Sequence, residues 1–188
     1  MIAGNLEYLM SSLPYLSFKG TDEYRSQVKA TLNRYAGDSA SNGSLSSILD
    51  EEAIKFLSTR NARLIQSIQA HTIHEEQFRT SGQPVLAEFA SFSYSLKNQI
   101  RQLRIARKEN SDTGRLEQSL SLTPGNPLEE ELQLLEQQWE KLEMLSAGHH
   151  ADFGALLIYK MKLLILERYW SFDSRIGFDV FLKTTQKD

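Results

Sequence analysis

The sequence predicts an all-α protein, a helical bundle of about six to eight helices, and three observations carry that reading. Apolar residues recur at gaps of three and four over long stretches. Only four prolines and ten glycines interrupt 188 residues, which favours long helices over many short strands. No segment sustains the alternation of a strand: "SFSYSL", 91–96, alternates, but it lies inside a longer helical stripe, and the better-supported period decides. Residues 1–188 read as a single helical domain with its own core.

Leu6 to Ser12 forms a short helix stopped by Leu13-Pro14, because proline disfavours helical geometry in the residue before it. Thr21 or Asp22 caps a second helix running to about Tyr35. "AGDSASNGS", 36–44, is a small-residue loop. Ser47 to about His74 reads as helix with a break near Thr59. Ser81-Gly82 then separates it from a helix that has Pro84 in its first turn.

The clearest periodicity begins there. Val85, Phe89, Phe92, Leu96, Ile100 and Leu103 lie on one helical stripe, and Lys97, Arg101, Arg104 and Lys108 follow one position further round. A second stripe, Leu128, Leu132, Leu135, Trp139 and Leu142, is trailed by Glu129, Glu136, Glu140 and Glu143. The two helices are expected to form an antiparallel hairpin in which the basic flank of one meets the acidic flank of the other; the alternative is that both flanks are simply solvated. Exposed pairs contribute only ~0.2–1 kcal/mol each, so they select orientation more than they stabilise. The connecting stretch, 109–127, reads as a polar, partly mobile loop.

"LLIYKMKLLILERYWSFDSRIGFDVF", 156–181, is apolar on every side of a helix before it turns charged and aromatic. Lys160, Lys162 and the Glu167-Arg168 boundary leave it well short of the ~20 apolar residues a bilayer requires, so no membrane insertion is expected. It reads as a buried central helix, with the stems of Lys160 and Lys162 on apolar surface and their heads in water. Tyr169, Trp170 and Phe172 cap the core and are also candidate partner-binding residues at its edge. Asp173 begins a final helix carrying Ile176, Val180 and Phe181.

Little in the chain points to a reaction. Without cysteine there are no disulfides, thiolate metal sites or cysteine nucleophiles. "GNP" and "SNGS" lack the strand, lysine and helix of a phosphate-binding loop. His71 and His74 share a helical face with Glu75, yet the spacing is not that of a zincin and no third ligand is placed. A charged solvent face is the simpler reading, with a His-dependent metal enzyme as the alternative. No catalytic, cofactor-binding or metal residues are assigned, no cofactor is expected, and the chain reads as a non-enzyme. A net charge of -3, and an acidic helix following the basic stripe, argue against nucleic acid as a partner. Lys97, Arg101 and Arg104 instead stand as candidate protein-binding residues. The N-terminus lacks the basic start and long apolar run of a signal peptide, which implies a cytoplasmic protein.

"EYLMSSLPYLSF", 7–18, and "LLILERYWSFDSRIGFDVF", 163–181, resemble the two ends of an uncharacterised bacterial family encoded with V-type ATPase subunits. Ser12-Leu13-Pro14 within the opening segment, and Glu167, Arg168, Phe172, Asp173 and Gly177 within the closing one, match that family. The family is in turn similar to a shortened form of the C-type coupling component of V-type ATPases, the helical protein between central stalk and membrane ring. The resemblance implies a noncatalytic subunit or assembly factor, with the stalk and ring subunits as partners. It also implies a location peripheral to the inner membrane through a protein complex. No residue-specific role transfers, and 36–150 carries no such likeness. A freestanding helical adaptor, docking another protein through the aromatic C-terminal edge, is the alternative.

Overall fold

The computed structural model describes residues 6–18, 20–35 and 44–172. Among them the chain forms nine α-helices and no strand. The predicted loop at 36–44 and the final helix from Asp173 lie outside the described residues, apart from Ser44.

Local chemistry accounts for most boundaries. α1, Leu6–Ser12, stops ahead of Pro14, and α2, Asp22–Asn33, starts where the Thr21 side chain accepts the Tyr24 N–H. Ser44 and Ser58 cap α3, Leu45–Ile54, and α4, Thr59–Ser67, so the expected break near Thr59 is present. The helix expected to reach His74 ends at Ser67, however. Ile68 and Ile73 are both buried, and residues five apart on a helix point about 140° away from each other. Leaving the helix at Ile68, whose backbone is extended, lets both side chains enter the interior.

After the single turn α5, Glu76–Arg79, the long α6 runs from Pro84 to Lys108 with proline at its start, where a missing N–H costs nothing. α7, Gly114–Ser119, is a short helix within 109–127, the stretch read from the sequence as a polar loop. α8, Pro127–Leu145, opens with a reciprocal capping box between Asn126 and Glu129. α9, Phe153–Trp170, is capped by Asp152, whose Oδ1 accepts the Ala155 N–H at 2.7 Å.

The stretch around α7 is more ordered than its composition suggests. Leu120 and Leu122 are buried with Leu96, Leu103 and Leu134 in a second apolar cluster, apart from the main core. Gln137 donates to the Leu120 carbonyl at 2.6 Å, and Gln133 both donates to and accepts from the Thr123 backbone. Both helix ends in this stretch close by the same device. Asn110 and Ser121 adopt positive φ, 53° and 48°. The following N–H then reaches back across the last turn, Ser111 to the Ala106 carbonyl and Leu122 to that of Glu117. Glycine usually fills that position, so the sequence hides both ends. Ser121→Gly removes the steric penalty of left-handed backbone, ~1–2 kcal/mol, against a smaller entropic loss. The net expected result is a gain of up to ~1 kcal/mol in urea unfolding, set by the difference between those two terms. A loss of stability contradicts the left-handed geometry.

α9 is the hub. It packs against α1, α3, α6 and α8, and it buries residues on all sides, from Leu156 to Trp170. This is the central helix expected from the sequence, with one correction. The Lys160 head does not reach water: the residue is 2% exposed, and Nζ lies 2.6 Å from both Asp50 carboxylate oxygens and from the Ile65 carbonyl. Three protons meet three oxygens, tying α9 to α3 and α4. Among the described residues, no helix is long and apolar enough to cross a membrane.

α6 and α8 run antiparallel, since Arg107 near the end of α6 meets Glu130 near the start of α8, and Glu88 near the start of α6 meets Lys141. The ion pairs differ from those expected, however. On α6, Glu88 lies about 180° round from Lys97, on the opposite flank of the apolar stripe. The expected basic flank therefore borders the segment 70–74, with Lys97 Nζ 2.6 Å from His74 Nε2. On α8, Glu143 pairs with Lys162 of α9.

Candidate partner-binding surfaces

The six sequence-predicted residues occupy two separate places. Tyr169, Trp170 and Phe172 sit at the end of α9, where the first and last described segments meet. Phe18 lies between the rings of Tyr169 and Trp139, at centroid distances of 5.1 and 5.7 Å. Trp170 is 8% exposed and belongs to the core. Its ring is faced by the Arg25 guanidinium at 5.7 Å and the Lys29 ammonium at 5.9 Å, both from α2. Burial, followed by the nearby Arg25 charge, lowers the Lys29 pKa. Phe172 is half-buried beneath the Arg168 guanidinium, 4.6 Å from its ring. Of the three, Trp170 is a packing residue, while Tyr169 and Phe172 keep part of their surface.

Among the described residues the most exposed aromatics lie on the opening segment, which the sequence does not mark as a surface. Tyr8 and Tyr15 are 70% and 80% exposed. The backbone that carries them is held by three phenols. Tyr159 donates to Pro14 O at 2.9 Å, Tyr35 to Ser12 O at 3.0 Å, and Tyr24 to Tyr15 O at 2.9 Å. Burial raises the Tyr159 and Tyr24 pKa values, so both remain donors.

Lys97, Arg101 and Arg104 lie on α6, all exposed, along a groove of about 840 Å³ walled on one side by Ile73 and His74. His74 accepts from Lys97, and burial, reinforced by that ammonium, lowers its pKa. The groove adjoins a smaller cavity of about 370 Å³ floored by Phe89, Leu135, Met161 and Ile165, for Ala70, Ile73 and Gln138 line both. Arg168 and Glu131, 3.3 Å apart, stand at that cavity's edge.

His71 is exposed and His74 is engaged by lysine. Among the described residues no three His, Cys, Asp or Glu side chains are grouped closely enough to hold a metal ion. His149 instead contacts the capping Asp152, Nδ1 to Oδ2 at 2.6 Å. Burial opposes the Asp152 charge, but the Ala155 N–H and His149 hold its pKa below the ordinary carboxylate value. Compared with protein-family models, with curated proteins and with solved structures, the chain matches none.

Proposed function

We propose that this protein is a noncatalytic helical subunit or assembly factor of a V-type ATPase, related in form to a shortened C-type component that couples the central stalk to the membrane ring. One observation supports it above the others. The described parts of the two segments that carry the family resemblance, 7–18 and 163–172, pack together although they sit far apart in the sequence. Phe18 packs on Tyr169, and Tyr159, one turn ahead of the closing segment on the same helix, holds the Pro14 carbonyl 145 residues away. At the same end of α9, Glu167 accepts the Ser46 N–H and so fixes the start of α3. A resemblance confined to unrelated surface stretches has no reason to converge in this way. Torque transmission requires stiffness, and a hub helix buried on all sides, with its lysine bonded across three helices, provides it. Nucleotide and ion chemistry then belong to other subunits.

The expected result is that the protein, tagged in its native host, co-purifies with V-type ATPase subunits from the cytoplasmic face of membranes. A coupling subunit is stoichiometric in the assembled complex, whereas an assembly factor is enriched only in intermediates. Recovery in a soluble fraction, with no ATPase subunit enriched over an untagged control, refutes this reading. The exposed Tyr8 and Tyr15 on a pinned backbone favour the adaptor as the second reading, because aromatic anchors dominate interface energies.

A further inference from the structure

We propose that the groove along α6 is the docking site for an acidic amphipathic helix of a protein partner. This inference stands independently of the rotary-ATPase reading. Lys97, Arg101, Arg104 and Lys108 are spaced four, three and four residues apart, which places all of them within an arc of about 60° on the helix. Ile100 and Ile105 flank that arc on either side, and Ile105 is 46% exposed. The cations span about 16 Å, three turns of helix. Two helices that pack side by side present residues to each other at this same alternation of three and four. A partner carrying carboxylates at matching positions thus reaches every cation while its apolar residues cover the isoleucines.

This row of charge is largely unmatched among the described residues. Among the described residues, Arg101, Arg104 and Lys108 form no ion pair, and Lys97 meets only His74. Glu130, on which Arg104 exerts a weaker pull, is already bonded to Arg107 on another face of the helix. The chain as a whole is acidic at net charge -3, so the cationic row is a local reversal of sign that selects an acidic partner. In the groove wall, the Ser93 hydroxyl is buried and has no hydrogen-bond partner, a polar atom left for an occupant to satisfy. Nucleic acid fits less well, because no Phe, Tyr or Trp lines the groove as a platform for bases, the His74 ring is engaged by Lys97, and the isoleucines gain nothing from phosphates. A flat bilayer does not enter a recess walled by residues 70–74.

The test uses the purified protein and a labelled synthetic helix with glutamates at four-three-four spacing beside a leucine seam. Fluorescence anisotropy should show it binding about tenfold tighter than the same helix with glutamine at those positions. Arg101→Glu with Arg104→Glu should remove about that factor, and replacing the glutamates of the synthetic helix by lysine should restore it on this variant. Both arginines are exposed, so the circular dichroism melt should be unchanged; if it is not, Lys97→Gln with Lys108→Gln supplies the same comparison at smaller amplitude. Equal binding of the glutamate and glutamine helices overturns the proposal. So does undiminished binding by the charge-altered variants, or tighter binding to single-stranded oligothymidine or to phosphatidylserine vesicles.

Discussion

Asp50→Ala is expected to destabilise the protein by ~3–5 kcal/mol, because it leaves the Lys160 ammonium buried with one remaining acceptor, the Ile65 carbonyl. Lys160 has no route to water: its side chain is 2% exposed, against 14% for Asp50. That asymmetry predicts a smaller loss for Lys160→Met, since the carboxylate left behind can gain hydration at its exposed edge. Burial pushes both groups toward their neutral forms, raising the Asp50 pKa and lowering that of Lys160, while their mutual hydrogen bonds oppose it. Two charges held at such cost are replaceable by apolar groups of similar volume. The double variant Asp50→Leu, Lys160→Met is therefore expected to recover most of the stability lost by Asp50→Ala. Urea unfolding of the wild type and variants measures the coupling. Independent, additive losses would mean that the two side chains do not meet in the folded protein.

Trp170→Ala should cost a similar ~3–5 kcal/mol, as expected for a large aromatic removed from a core that cannot collapse around the space. The residue joins the main apolar cluster, and the Arg25 and Lys29 cations over its ring tie α2 to the end of α9. Tyr169→Ala and Phe172→Ala, at half-buried positions, should each lose less. Chemical denaturation separates these outcomes. A Trp170→Ala protein with unchanged stability and impaired partner capture would move this ring from the core to the interface.

The groove and the aromatic edge are partly legible in the sequence, for different physical reasons. The cationic row on α6 follows from helical spacing alone, which identifies its residues without any knowledge of packing. What it faces is not legible. An antiparallel seam has two flanks, and the apolar stripe on α6 is broad enough for α8 to approach from either. The structure has α8 on the Glu88 side, which frees the cations to line a groove with His74. Ile105 and Ser93 escape notice because an isolated apolar residue beyond a stripe, or a serine within one, has no signature until the neighbouring chain is placed.

Lys160 departs from expectation for a related reason. A lysine in an apolar helix ordinarily extends to solvent, and the sequence offers no sign that a carboxylate 110 residues earlier waits beside it.

Taken alone, the sequence determined the helical class, a cap at Thr21 or Asp22, the break near Thr59, Pro84 in the first turn of α6, the apolar stripe of α6, the Leu135, Trp139 and Leu142 part of the α8 stripe, and the centrality of α9. Each of these depends on interactions within a few residues along the chain, or on a helix too apolar to face water anywhere. Tertiary structure alone decided where α4 ends, how Asn110 and Ser121 close their helices, which flank of α6 stays open, and that Lys160 is paired inside. Those outcomes depend on which distant surfaces share the interior, and neither periodicity nor local propensity encodes a contact between residues far apart in sequence.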